Sequence, residues 1–242
     1  MNASPLILHG KGFDPYYNLA VEEVLTSVCT GRKGLYLWQN DKTVVVGRNQ
    51  DILSEVDTSY AEAHGIRLSR RLSGGGAVYH DRGNLNFTFA GSENETDIIV
   101  SAMRYLGLDV QTTGRNDIEI MCGRNSAKFS GNAYFKSGSK AFHHGTILIN
   151  TDLTVMERVL TPDKAKLASH GVASVRSRVI NLSEVDPALT VSDVKSAIIK
   201  AFEDKYGTAD PSDISSLNAF DIESARQRLA STEWIYGSKW HL

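Results

Sequence analysis

Cysteine is scarce in this 242-residue chain: Cys29 and Cys122 are the only two. They make neither a disulfide framework nor a zinc-binding spacing. Long apolar runs are also lacking. Stretches such as Thr43–Gly47 and Thr146–Ile149 are short, far from the roughly 20 residues that cross a bilayer. The amino terminus, MNASPLILHGKGF, has no basic segment leading into a long apolar one. No signal peptide is read there, no membrane partner is expected, and the expected location is cytoplasmic. Nor is there an excess of charge of one sign. The net charge is −2 and the pI is near 6.4, which argues against a nucleic-acid coat protein and sets the expectation of no nucleic-acid partner. Internal repeats and low-complexity linkers are absent. What is present is a 41% hydrophobic chain, enough for a sizeable core in one large domain, or in one domain plus a small appendage.

Helix and strand signals alternate along the chain. Asp14-Pro15 pairs an N-cap with a first-turn proline, and Ala20, Val21, Val24, Leu25 and Val28 follow as one apolar face. Gly34–Gly47 reads as two strands around Asn40-Asp41-Lys42. A short helix is expected over Asp57–His64, stopped by Gly65. Arg67–Arg71 and Leu85–Phe89 read as strands, and Ile98, Ile99, Ala102, Met103 and Leu106 as a helix face closed by Gly107. Asp117–Cys122, Lys128–Phe135 and Ala141–Asn150 read as an antiparallel meander. Helices are then expected from Thr161-Pro162 to near Gly171, around Val194–Phe202 with Thr190 and Asp193 at its start and Gly207 at its end, and over Ile222–Leu229. Runs of strands flanked by helices make the class α+β, with a mainly antiparallel or mixed sheet.

Three stretches carry chemistry. RRLSGGGAVYHDRGN, Arg70–Asn84, sets three glycines beside two arginines. Glycines permit positive φ and remove every Cβ from a small surface. A ligand can then approach backbone amides that form an anion nest, while guanidinium groups grip phosphate or carboxylate. The same residues also fit a plain tight turn with two surface arginines. There is no G-x-x-x-x-G-K-[ST] loop and no surrounding βαβ unit, so neither a P-loop nor a dinucleotide fingerprint is read. In GRNDIEI, Gly114–Ile120, Asp117 fits a Mg²⁺ ligand or a contact for an incoming amine, and also a turn cap, the commoner role of an isolated Asn-Asp. Lys128 opens a strand; pointing inward it requires an anionic partner, pointing outward it is an ordinary strand lysine. His143 and His144 are adjacent on a strand and face opposite sides, so one is expected to line a pocket and the other to face solvent.

Taken in order, these stretches resemble the lipoate–protein ligases. The resemblance rests on RRLSGGGAVYHDRGN, GRND (Gly114–Asp117), AKFSGNAY (Ala127–Tyr134), HHGTILIN (His143–Asn150) and SVRSRVINL (Ser174–Leu182), with FDPYYNLAVEE (Phe13–Glu23) and LYLWQNDKTVVVGRNQ (Leu35–Gln50) before them. It implies the biotin/lipoate ligase fold, related to class II aminoacyl-tRNA synthetases. It also implies ATP, Mg²⁺ and lipoate: activation of lipoate to lipoyl-AMP, then transfer to a lysine of an apo lipoyl carrier domain, in the E2 subunit of a 2-oxoacid dehydrogenase or the glycine-cleavage H protein. By resemblance, Arg71, Gly74, Gly75, Gly76, Ala77, Val78, Tyr79 and Asn116 contact the nucleotide and the acyl-adenylate. Lys128 contacts both the lipoate carboxyl and the phosphate. Asp117 lies near phosphate, metal and target amine, and with Lys128 forms the expected catalytic pair. Leu19, Trp38, Ser73, His80 and His144, together with Arg71 and Lys128, hold lipoate.

Bacterial ligases of the family commonly carry a further C-terminal domain, whereas this sequence ends at TEWIYGSKWHL, Thr232–Leu242. The expectation is therefore one catalytic domain over residues 1–242, as a truncated piece, a proteolytic product or half of a split two-protein ligase. In the last case a separate C-terminal-domain protein is its partner. Such a chain is expected to transfer the acyl group from lipoyl-AMP and to make lipoyl-AMP poorly. Two other readings compete. An octanoyltransferase of this fold needs a thiolate nucleophile close to the lysine, for which Cys29 and Cys122 are the candidates. A non-catalytic lipoyl-binding regulator is the other.

Overall fold

The computed structural model describes residues 4–114, 116–123, 125–161 and 179–237. Eleven strands and eight α-helices are formed among them. In chain order they are β1 Leu6–His9, α1 Pro15–Val28, β2 Gly34–Trp38, β3 Thr43–Val46, α2 Ile52–Glu55, α3 Thr58–Ala63, β4 Arg67–Arg70, β5 Val78–His80, β6 Asn84–Ala90, α4 Thr96–Tyr105, β7 Val110–Thr113, β8 Asp117–Cys122, β9 Asn125–Ser137, β10 Lys140–Leu148, α5 Leu153–Val159, α6 Val191–Tyr206, β11 Asp210–Pro211, α7 Ala219–Leu229 and α8 Thr232–Tyr236.

Eight strands form one mixed sheet in the order β11-β1-β2-β6-β10-β9-β8-β7. The β11/β1/β2 pairs are parallel and the rest antiparallel. A second sheet, β4-β3-β5, stands beside it. The large sheet is covered on both faces, so β2 is buried along its whole length and its side chains sort by parity. Leu35 and Leu37 join the core under α4 and α6. Tyr36 and Trp38 pack instead with α1 and α7. A third cluster fills the space between the small sheet, α2, α3, α5 and α8. The α+β reading with a mixed sheet holds. Among the described residues no helix is long and apolar enough to cross a membrane.

The capping signals form as read. Asp14 accepts a hydrogen bond from the Tyr16 amide at 3.0 Å, with Pro15 in the first turn. Thr190 and Asp193 close a reciprocal capping box, and Gly207 ends α6 at φ +87°. The strands β8, β9 and β10 form the expected meander. Short elements escaped the reading: β1, β5, β7, β11 and α8 have five residues or fewer, too few to establish a period. The helix after β10 begins at Leu153 on an Asp152 cap and ends at Val159, ahead of Thr161-Pro162. The helix expected there lies outside the described residues. Val28 lies off the buried face of α1, 48% exposed.

Candidate active site

The glycine loop is held from below by an arginine. Arg71 is 6% exposed. Its Nη2 donates to the Gly74 and Gly76 carbonyls, both at 2.7 Å, its Nη1 to the Val45 carbonyl at 3.1 Å, and its Nε to Ser73 Oγ at 3.0 Å. Burial pulls its pKa down to about 10, opposed by the negative charge of Glu22. The loop is seated on Gly47, just beyond β3. A Cβ built there would lie 2.1 Å from the Gly75 carbonyl oxygen, so no other residue fits without moving the loop. Gly75 itself sits at φ +93°.

Arg70 has a different fate, and the expectation of two cations facing a ligand is corrected here. Its side chain is 1% exposed. The guanidinium donates to the carbonyls of Trp234, Ile235, Gly47, Arg48 and Gln50. It ties α8 and the segment after β3 to β4, and does not line the cavity beside the loop. Strand alternation puts neighbouring side chains on opposite faces, and only tertiary contacts decide which face holds the ligand space.

The facing wall comes from β8 and β9. Lys128 Nζ lies 2.7 Å from Asp117 Oδ1, with both side chains roughly one-third to two-fifths exposed. The inward-pointing lysine therefore does have its anionic partner. A pair this wet adds little stability, but it fixes where the ammonium sits. A β-bulge aims it. Asp117 and Ile118 pair with Gly131 and Ser130, whereas Glu119 pairs with Lys128. The extra residue lets positions three apart share a face. Gly131 completes the fit, since a Cβ there would come within 3.1 Å of Lys128 Nζ.

The turn bearing Asn116 and Asp117 is held from inside the sheet. The Asn116 carbonyl accepts from the Asn132 amide at 2.8 Å and from Asn132 Nδ2 at 2.9 Å. Asn132 Oδ1 meets His143 Nε2 at 2.8 Å, and the Glu95 amide donates to His143 Nδ1 at 2.9 Å. A backbone amide can only donate, so Nδ1 is the acceptor and Nε2 carries the proton. The expectation that one histidine of the pair faces solvent is thus corrected: His143 is fully buried, because β10 lies inside the sheet with helices on both faces. Burial pushes its pKa down to about 3, with His144 adding to the effect.

His144 is the histidine that lines the cavity. Its Nδ1 meets Glu22 Oε1 at 2.8 Å and its Nε2 meets Ser73 Oγ at 2.7 Å. Glu22 Oε1 also accepts from Thr88 Oγ1 at 2.6 Å. The array has the outline of a Glu-His-Ser relay. Ser73, however, is 1% exposed, does not line the cavity, and already accepts from Arg71 Nε. The relay therefore braces the glycine loop against α1 and presents no nucleophile.

Together these walls enclose a cavity of about 290 Å³. Of the residues expected at the site, Leu19, Trp38, Arg71, Gly75, Gly76, Ala77, Val78, His80, Asn116, Asp117, Lys128 and His144 line it. Gly74 lines an adjoining groove with Gly75 and Asn116. Tyr79 points the other way, into the third hydrophobic cluster. Neither cysteine lines the cavity. Cys29 is buried at the C-terminal end of α1, where burial pushes its thiol up to about 12. Cys122 is exposed and pairs with Asn125 at the far end of the β8–β9 hairpin. Gly47, Asn86, Gly131, Asn132 and Glu22 escaped the sequence reading. The signal for Glu22 was there: a carboxylate three residues after Leu19 and four before Thr26, on the buried side of α1. Among the described residues no group of three or more His, Cys, Asp or Glu is placed to hold a metal ion. Asp117 alone suits Mg²⁺, which is commonly held by one or two carboxylates plus substrate phosphates.

Residues 14–203 match the Lipoyl protein ligase A/B catalytic domain family. The whole chain superimposes, at TM-score 0.83 and 26% identity, on 99% of a chain from the Thermoplasma acidophilum lipoylation system, described as a bi-partite lipoate protein ligase with its E2 lipoyl domain. LipL1 of P. falciparum in complex with lipoate is 30% identical, with TM-score 0.81 over 98% of this chain and 75% of that one. A lipoate-protein ligase A bound with ATP gives TM-score 0.77 at 26% identity, over 99% of this chain and all of that one. The matches run through every wall of the cavity, and the chain belongs to the Lipoyl protein ligase A/B catalytic domain family.

Proposed function

We propose that this chain is a lipoate–protein ligase that activates lipoate with ATP to lipoyl-AMP and transfers the acyl group to a lysine of an apo lipoyl carrier domain. The observation that carries the reading is the convergence of Lys128, Arg71 and the glycine loop on one cavity. In the first step a lipoate carboxylate oxygen attacks the α-phosphorus, and the bond to pyrophosphate breaks. Two anionic groups must approach each other, and Lys128 offsets charge on both. In the second step the carrier amine attacks the acyl carbonyl, AMP departs with the bonding electrons, and the amine releases its proton to solvent at the open Asp117–Lys128 end of the cavity. Donors already aimed at phosphate and carbonyl oxygens lower that barrier without reorganising. No enzyme nucleophile is required, in keeping with two cysteines outside the cavity. Asp117, half-exposed beside Lys128, is the carboxylate that meets the incoming amine. The same carboxylate would hold Mg²⁺, which when bound would supply further positive charge to the phosphates. Gly74 to Val78 and Asn116 hold the nucleotide; Leu19, Trp38, His80 and His144 shape the acyl end, with Ser73 bracing His144 from behind.

The relatives support each part: one is bound to lipoate, one to ATP, and one is described with its E2 lipoyl domain. Because a chain of a bi-partite ligase matches this one over its full length, the two half-reactions are assayed apart. An apo lipoyl domain is mixed with this chain and either ATP, Mg²⁺ and lipoate, or pre-formed lipoyl-AMP, and the acceptor is weighed by mass spectrometry. Acceptor gain in both arms marks a complete ligase, and gain with lipoyl-AMP alone marks a transferase core that works with a second protein. No gain in either arm overturns the reading.

A further inference from the structure

His143 is fully buried and does not line the cavity. It is a polar ring set among aromatic ones. Tyr134 stacks on it with ring centres 4.6 Å apart, and Phe87 and Phe89 pack at 5.6 and 5.7 Å. An apolar ring would fill this place without the cost of burying polar atoms. What the imidazole adds is one donor and one acceptor, and both are used.

The chain of hydrogen bonds through it runs from backbone to backbone. At one end the amide of Glu95, the N-cap of α4, donates to His143 Nδ1. At the other end the Asn116 carbonyl accepts from Asn132 Nδ2. An amide N–H only donates and a carbonyl only accepts, so every group between them has one direction. His143 Nε2 donates to Asn132 Oδ1, and the Asn132 NH₂ is thereby turned toward Asn116. The outer end is anchored in turn. The Glu95 side chain, 2% exposed, accepts from Ser92 and Tyr206 and meets Lys205 Nζ at 2.6 Å, so α6 holds the start of α4. Gly145 leaves the room that Asn132 occupies, since a Cβ there would lie 2.8 Å from Asn132 Oδ1. The inner end stops one peptide unit before Asp117, whose carboxylate lies against Lys128.

Taking Asp117 as the carboxylate that meets the carrier amine, on which this inference rests, we propose that His143 is a positioning residue for acyl transfer: acting through Asn132, it fixes the Asn116 carbonyl and with it the place of Asp117. Without the Nε2 hydrogen the Asn132 side chain is free to turn. The Asn116 carbonyl then keeps the Asn132 backbone amide but loses its second donor. A misplacement of about 1 Å can cost about a hundredfold in rate, and a turn that still visits its productive place is expected to cost about tenfold. Arg71 and the glycine loop are not part of this chain, so adenylate binding is spared.

The test follows transfer from pre-formed lipoyl-AMP to an apo lipoyl domain by the full chain. For each variant kcat, KM for the carrier, affinity for a non-hydrolysable acyl-adenylate and Tm are measured. His143→Gln reproduces one donor and one acceptor and is expected to hold kcat within about twofold of wild type. His143→Phe keeps the ring and removes both; kcat is expected to fall about tenfold, with KM and adenylate affinity within about twofold. Asn132→Leu should do the same, and the double variant should lose no more than either single, as links of one chain do. Replacing both partners by apolar groups also removes an unmet buried polar atom, so the double variant is expected to melt above His143→Phe while staying as slow. A merely structural role would instead make activity follow Tm. Wild-type kcat in folded His143→Phe, equal losses in His143→Gln and His143→Phe, or activity that recovers with Tm in the double variant overturns the inference while the functional reading stands. If His143→Phe does not fold, wild-type kcat in Asn132→Leu overturns it. A wild-type protein that transfers nothing from lipoyl-AMP overturns the functional reading, and the role of His143 falls with it.

Discussion

Gly47 and Gly74 belong to one structural unit, yet replacing each by alanine is expected to have opposite consequences. At Gly47 an added Cβ would lie 2.1 Å from the Gly75 oxygen, 3.1 Å from its carbonyl carbon and 3.2 Å from Arg71 Nη2. Ordinary contact begins more than an ångström further out, and the obstacle is backbone. The loop must therefore lift, which pulls the Gly74 and Gly76 carbonyls off Arg71 Nη2, where both now lie at 2.7 Å. Overpacking of this kind costs about 1–3 kcal/mol, and each displaced bond to the guanidinium adds about 1.5–3 kcal/mol of the kind lost from charged hydrogen bonds. Part of that is recovered by water because the loop is near the surface, so a net loss of about 2–4 kcal/mol is expected. In a chain of this size each kcal/mol lowers Tm by about 2–4 °C. At Gly74 a Cβ meets nothing within 4 Å and the backbone is not at positive φ. Gly74→Ala is therefore expected to leave Tm within about 2 °C, an effect under 1 kcal/mol. Thermal unfolding of both variants, with titration of a non-hydrolysable acyl-adenylate, checks the pair. A Gly47→Ala protein that melts and binds like wild type refutes the packing reasoning. So does a Gly74→Ala protein damaged as badly as Gly47→Ala.

Arg70→Lys keeps the charge but cannot reach five carbonyls spread over Gly47–Gln50 and Trp234–Ile235. An ammonium has three donors and no planar fork, so a loss of about 3 kcal/mol is expected. Limited proteolysis should then cut near α8 first, and unchanged protection there would count against the tether. His143 is neutral when folded, with a pKa near 3, against about 6.5 when unfolded. A depressed base binds its proton more readily in the unfolded chain, so stability falls as pH drops from 6.5 toward 3. This one group contributes about 1.4 kcal/mol per pH unit in that window. Unfolding free energies from urea titrations of wild type and His143→Gln between pH 4 and 6 should differ in slope by that amount, and parallel slopes would disprove it. Cys29 is fully buried with its thiol pushed up to about 12, while Cys122 is exposed. Native alkylation at pH 8 should label Cys122 alone; labelling of Cys29 before unfolding would contradict the packing at the C-terminal end of α1.

What the sequence by itself determined is what depends on near neighbours. Asp14-Pro15 starts α1 and Thr190 with Asp193 starts α6, because caps act within one turn. The β8–β9–β10 meander follows from runs of strand residues separated by tight turns. The family resemblance, carried by ordered motifs, foretold most of the cavity lining. The tertiary structure alone decided what depends on partners distant in the chain. Arg70 and Arg71 are indistinguishable in the sequence, but one ties α8 to the small sheet and the other clamps the glycine loop. His143 is buried because β10 is an inner strand, with β6 on one side and β9 on the other. Lys128 reaches the cavity through a bulge that no periodic pattern announces. Glu22 and His80 acquire their meaning from partners 122 and 40 residues away. A hydrogen bond between side chains so far apart leaves no trace in local propensity, since its geometry exists only once the sheets and helices have packed.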